Sequence, residues 1–166
     1  WIGRKKMDYI MKDKLTEKIG VLLRREAEVR LLIPFLQDLY DEFGKEKILN
    51  ILEKSVKNIA KQQGKHLSSE YGNNSTAFLK TLKFWKKNGA LEIKILEKSD
   101  SKLNFNVTRC KYAEMYKALG VNDLGAVLSC NRDASLIMGF NKNASLERKD
   151  TIMSGNNCCT FRYRFK

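Results

Sequence analysis

Thiols and carboxylates recur in the second half of this sequence at spacings that could do chemistry. Cys130 and Asp133 stand three residues apart, so a continuous helix over them puts both on one face. Cys110 and Glu114 stand four apart with the same consequence. Cys110 also falls where a strand gives way to a helix, and the free N–H groups of a first turn favour a thiolate. A thiol beside a carboxylate serves as nucleophile and base or as two metal ligands, and neither spacing decides between these. Near the end, the alternation of Cys159, Phe161, Tyr163 and Phe165 puts one cysteine on the aromatic, buried face of a strand. Cys158, Thr160, Arg162 and Arg164 take the other face. Cys159 therefore reads either as a small core hydrophobe or as an inward-facing thiol.

Two arginines share a phase with apolar neighbours. Arg148 is in step with Leu146 and Ile152, and Arg109 with Leu103, Phe105 and Val107. An inward guanidinium has to be paired. For Arg148 the candidates are Asp150, Asp133 or the carboxylate of a small ligand, which its planar fork fits. The plainer reading is that each arginine lies at a strand end and snorkels to water, and it fits Arg109 better, at a strand-to-helix junction. His66, the single histidine, follows Gly64 in a polar stretch read as a loop. A multi-histidine metal site is thereby excluded.

The elements that would position these residues follow from periodicity. Residues 1–88 read as mainly helical, with Ile48, Ile51, Leu52, Val56 and Ile59 on one helical stripe between the expected stops Gly44 and Gly64. Pro34 should kink or divide the helix around it. Asn74 or Ser75 can cap a helix carrying Phe78, Leu82 and Trp85, with Gly89 at its end. Residues 89–166 read as ββααββ. Leu91, Ile93 and Ile95 alternate with polar residues, as do Leu103, Phe105 and Val107. A helix over Cys110 to Leu119 and another from Asn122 or Asp123 to about Met138 follow, with Gly139 closing the second. Strands over Leu146 to Ile152 and Cys158 to Phe165 finish the chain. The expected fold is α+β, one domain over 1–166, with N-terminal helices and a four-stranded antiparallel sheet covered by helices.

Composition narrows the function class. The 166 residues carry 32 Lys+Arg against 19 Asp+Glu, a net charge of +13. That charge is spread along both halves and is mostly lysine interleaved with Glu or Asp, which suits a solvated surface better than a nucleic-acid footprint. No apolar run approaches the roughly 20 residues of a membrane span. The opening Arg4, Lys5 and Lys6 is followed by Asp8 and Asp13 instead of a signal-peptide core. Four cysteines without framework spacing point to reduced thiols and a cytoplasmic setting.

The ordered set Arg109-Cys110-Lys111-Tyr112-Ala113-Glu114, Cys130-Asn131-Arg132-Asp133, Gly139-Phe140-Asn141, Leu146-Glu147-Arg148, Thr151-Ile152 and Gly155 to Tyr163 resembles the L-2-amino-thiazoline-4-carboxylic acid hydrolase family. The family pattern often has Asp where this chain has Asn156 and Thr160. The resemblance implies hydrolytic opening of a thiazoline ring, or of a similar carboxylated C–N heterocycle, by a small hydrolase. On that reading Arg148 or Arg109 binds the ring carboxylate near Cys110 and Glu114. Cys159 or Cys130 attacks the amidine carbon, or Asp133 activates water. The closing segment is also similar to the 4-vinyl reductase-type ligand-binding domain, related in fold to transport-particle subunits, whose members can hold zinc with three cysteines and a glutamate. Cys159 matches the last cysteine, but Thr151 and Arg148 replace two ligands. A cation in a ligand position opposes zinc, so no metal or other cofactor is expected. That second resemblance implies a non-catalytic small-molecule-binding domain as the alternative. Assembly as a homo-oligomer is left open.

Overall fold

The computed structural model describes residues 14–166, and the basic opening Arg4 to Lys6 with Asp8 and Asp13 lies outside them. Helices α1 (Lys14–Phe43) and α2 (Lys45–Tyr71) come first, separated by Gly44 in the left-handed region at φ 83°. The break in α1 is not at Pro34 but at Gly20, whose φ of 79° and ψ of 171° are non-helical. Pro34 and Arg30, whose carbonyl it deprives of a donor, are both exposed, where water can replace the lost bond. At Gly20 the neighbouring turn supplies the missing donors. Lys87 Nζ donates to the Glu17 carbonyl at 2.6 Å, and Asn88 Nδ2 to that of Ile19 at 3.0 Å.

Gly64 does not stop α2. A Cβ there would fall 2.0 Å from the Leu136 carbonyl oxygen, and one on Gly139 would fall 2.0 Å from that of Lys61. The two glycines let α2 press backbone to backbone on α6 (Asp133–Phe140). Packing decides their placement, so neither acts as a terminator. Helix α3 (Ser75–Lys86) forms as expected, with the Asn74 side chain accepting from the Ala77 N–H at 2.8 Å.

Strands β1 (Leu91–Lys98), β2 (Lys102–Cys110), β3 (Ser145–Glu147) and β4 (Cys159–Arg164) form an antiparallel sheet in the order β1-β2-β4-β3. The fold is α+β, helices first, as the periodicity indicated. Leu103, Phe105 and Val107 of β2 are paired with Tyr163, Phe161 and Cys159 of β4, and all six are buried. The Phe105 and Phe161 rings stack at 4.8 Å. Phe78 of α3 meets Tyr163 at 4.9 Å and Phe140 at 5.1 Å, which joins α3 to the sheet and to α6. On the other face Arg162 Nη2 donates to Asn106 Oδ1 at 2.9 Å.

Three elements depart from the periodic reading. Ile95 is 45% exposed although it stays in register with the buried Phe105, because it lies on the edge strand β1 where the sheet is less covered. The expected strand through Ile152 ends at Glu147. Beyond it the N–H groups of Lys149 and Asp150 donate to Thr160 Oγ1, at 3.2 and 3.1 Å, and a 3₁₀ turn covers Ile152–Ser154. After α4 (Lys111–Ala118), the expected single helix is divided into α5 (Asn122–Gly125), a π turn (Ala126–Cys130) and α6. The π turn is closed by the Asn131 N–H on the Ala126 carbonyl at 2.8 Å.

Candidate functional site

Antiparallel pairing brings the ends of β2 and β3 and the start of β4 to one end of the sheet. Cys110 closes β2, Cys159 opens β4, and Arg148 follows β3. Facing them, the π turn ends in Cys130 and α6 begins at Asp133. A cavity of about 670 Å³ lies between, and Cys110, Cys130, Asp133, Arg148 and Cys159 all line it. These five residues, named from sequence spacing and strand phase, meet although they come from five different elements or connections.

Arg109 and Glu114 do not join them. Both are exposed, and Arg109 Nε donates to Glu114 Oε1 at 2.8 Å, with Glu92 a second carboxylate at 3.7 Å. The surface reading of Arg109 is the one the geometry supports.

Arg148 selects Asp133 from its three candidate partners. Its Nη1 donates to Asp133 Oδ2 at 2.5 Å and its Nη2 to the Cys130 carbonyl at 2.7 Å. The guanidinium carbon lies 5.1 Å from the centre of the Phe161 ring. Only 12% of the Arg148 side chain and 13% of the Asp133 side chain are exposed. Burial pushes the Asp133 carboxyl up to about 6, against the opposing pull of Arg148 and Arg25. Asp133 can therefore accept and return a proton near neutrality.

The thiols behave otherwise. Burial raises Cys110 to about 11 and Cys130 to about 12. It raises Cys159 too, although the Ile152 N–H donates to its sulfur at 3.2 Å. Cys110 does stand at the entry to α4, but desolvation outweighs the helix terminus. At neutral pH all three carry their protons. Among the described residues, no three His, Cys, Asp or Glu side chains are grouped to hold a metal ion.

Several lining residues were not singled out by spacing. His66 lies on α2, not in a loop, with Nε2 3.8 Å from Glu70 Oε2. Gln63 is three residues earlier on the same helix, and reading Gly64 as a stop hides the helical placement of His66. Arg25 of α1 is 8% exposed and pairs with Glu28. Arg132, beside Asp133 in the quoted motif, is 7% exposed and donates from Nη2 to Gln63 Oε1. Among the described residues, the buried side-chain polar atoms without a partner are Arg132 Nε and Tyr163 OH. The remaining wall is largely apolar, including Trp85, Leu91, Val107, Leu136, Met153 and Phe161.

Residues 24–163, from α1 to the last strand, match the L-2-amino-thiazoline-4-carboxylic acid hydrolase family. The chain belongs to that family. The matched span contains the cavity wall from Arg24 to Phe161, and the wall residues Lys14 to Val21 precede it. Comparison with curated proteins returns no match. Among solved structures, the phenol-responsive sensory domain of the transcription activator PoxR with phenol is 10% identical, at a TM-score of 0.52 over 87% of this chain and 75% of that one. This likeness concerns the fold. A trafficking protein particle complex subunit 3 from Naegleria fowleri, covalently bound to palmitic acid, is 14% identical at a TM-score of 0.46, covering 85% of this chain and 96% of that one. No described helix of this family member is long and apolar enough to cross a membrane.

Proposed function

We propose that the chain is a hydrolase that opens a carboxylated C–N heterocycle, such as L-2-amino-thiazoline-4-carboxylate, with Asp133 as the proton-transfer residue. The observation that carries this reading is a buried carboxylate on the wall of a cavity, held in place by Arg148 and raised to about 6 by its own burial. A cysteine nucleophile fits less well, because the surrounding thiols are protonated.

The chemistry balances around one water. The ring amidine enters with its proton. Water bonds through oxygen to the carbon between nitrogen and sulfur while Asp133 takes one of its protons. When the tetrahedral intermediate collapses, the ring C–S bond breaks and Asp133 returns the proton to the leaving sulfur. The carbamoyl group that remains releases the amidine's extra proton to solvent. Arg148 fixes the carboxylate through the Nη1 contact at 2.5 Å and, held also by the Cys130 carbonyl, keeps it from rotating. Cys130, Cys159 and Cys110 serve as compact neutral walls.

The test is thiol release from L-2-amino-thiazoline-4-carboxylate by the purified protein. Turnover abolished by Asp133→Asn supports the reading, and its persistence in that variant overturns it. A second reading, a binding domain that senses a small molecule, is favoured by the apolar wall and by the fold it shares with a sensory domain. Tight binding of the heterocycle without turnover would select it.

A further inference from the structure

Three buried or nearly buried guanidinium groups line the cavity, but only two face carboxylates. Arg25 pairs with Glu28, and Arg148 pairs with Asp133. Arg132 makes no ion pair among the described residues. Its hydrogen-bond partner is the neutral amide oxygen of Gln63, and its Nε is shielded from solvent with no partner at all. At 7% exposure this charge faces no carboxylate among the described residues. Polar donors left unmatched on a cavity wall fit a ligand that brings the missing acceptors.

We infer that Arg132, steadied by Gln63, is the anion subsite of the cavity and takes the carboxylate of the ligand through its Nε and Nη2 edge. Gln63 Oε1 occupies the place of one carboxylate oxygen and gives way when the ligand enters. Planar guanidinium and planar carboxylate then meet in the two-bond fork that a single amide oxygen cannot make. This reassigns the carboxylate anchor from Arg148, whose charge already faces Asp133 and whose Nη1 and Nη2 already donate to Asp133 and the Cys130 carbonyl. It also separates two tasks on adjacent residues, with Arg132 holding the ligand and Asp133 moving the proton. The subsite deepens the hydrolase reading and rests on it for the choice of heterocycle, but not for the recognition of a carboxylate.

The deciding experiment is a calorimetric titration of the protein, Arg132→Met and Arg132→Lys with two probes. These are L-2-amino-thiazoline-4-carboxylate and its uncharged carboxamide. Thermal melting of each protein without ligand accompanies it. The expected result is a preference for the carboxylate of at least about tenfold in the unsubstituted protein, as for a desolvated charge-assisted pair. Arg132→Met removes that preference, Arg132→Lys retains part of it, and Arg132→Met melts no lower than the unsubstituted protein because a stranded charge has gone. A preference that survives Arg132→Met overturns the inference. So does equal binding of the two probes, or no binding of either, by the unsubstituted protein. Loss of both probes together with a lower melting temperature assigns Arg132 to the scaffold and also overturns it. The two proposals fail separately. Arg132-dependent binding without turnover leaves the subsite and removes the hydrolase, whereas turnover with no carboxylate preference does the reverse.

Discussion

Asp133 Oδ2 lies 2.5 Å from Arg148 Nη1, and the pair spans the gap between the start of α6 and the end of β3. It couples α6 to the end of β3 on the wall of the cavity. Breaking such a pair strands a buried charge. Arg148→Met is expected to lower stability by about 3 kcal/mol, and the double variant Arg148→Met with Asp133→Leu to recover much of that loss. Denaturant midpoints for the two singles and the double check it.

Acidity supplies a second outcome. The Asp133 carboxyl is raised to about 6 in the folded chain, above its unfolded value near 3.9. The folded state therefore holds this proton more tightly than the unfolded state. Its contribution to stability is complete below about pH 4 and is lost as pH rises through about 6. Asp133→Asn is expected to abolish that decline, and urea titrations between pH 4 and pH 7 read it. Hydrolysis by a basic Asp133 has the opposite slope, with kcat/KM rising through about pH 6.

The α2–α6 crossing gives a steric outcome. Gly139→Ala places a methyl group against the Lys61 backbone, which cannot move aside cheaply. A loss of about 1–3 kcal/mol is expected, as for overpacking. Gly120→Ala, where φ is 71° but nothing lies within 4 Å, meets only the left-handed penalty of about 1 kcal/mol. Thermal melts of the two variants distinguish them.

Thiol chemistry gives a fourth outcome. With Cys130 raised to about 12 and Cys110 to about 11, both are expected to react with iodoacetamide at pH 7.5 at least about a hundredfold more slowly than free cysteine. Peptide mapping after timed alkylation measures this. Cys130→Ser should leave turnover within a few-fold of the unsubstituted protein, since its thiol takes no covalent part.

Much of this arrangement is legible in the residues. Period-two alternation places Cys159 and Phe161 on the buried face, and the three-residue spacing brings Cys130 and Asp133 to one cavity wall even though a turn at Asn131 and Arg132, not a regular helix, connects them. Arg148 faces inward as its phase suggests, although the three-residue β3 ends at Glu147, just before it, and Asp133 and the Cys130 carbonyl hold it there. What could not be read is long-range. Gly64 looks like a helix stop because a glycine that ends a helix and one that admits a neighbouring backbone are the same residue. Only α6, arriving from 72 positions later in the chain at Leu136, reveals which it is. Missing that crossing hides Gln63 and His66, and with Gln63 the isolation of Arg132. Arg109 is the converse case. Its phase points inward, but a strand end allows it to turn to Glu114 on the surface.

The most direct measurement of the central proposal is single-turnover thiol release from L-2-amino-thiazoline-4-carboxylate, followed from pH 4.5 to pH 8 for the unsubstituted protein and Asp133→Asn. The expected result is release that rises with an apparent pKa near 6 and disappears in Asp133→Asn, whose binding of the heterocycle persists. Release that is independent of pH across this range, or that continues in Asp133→Asn, would contradict it.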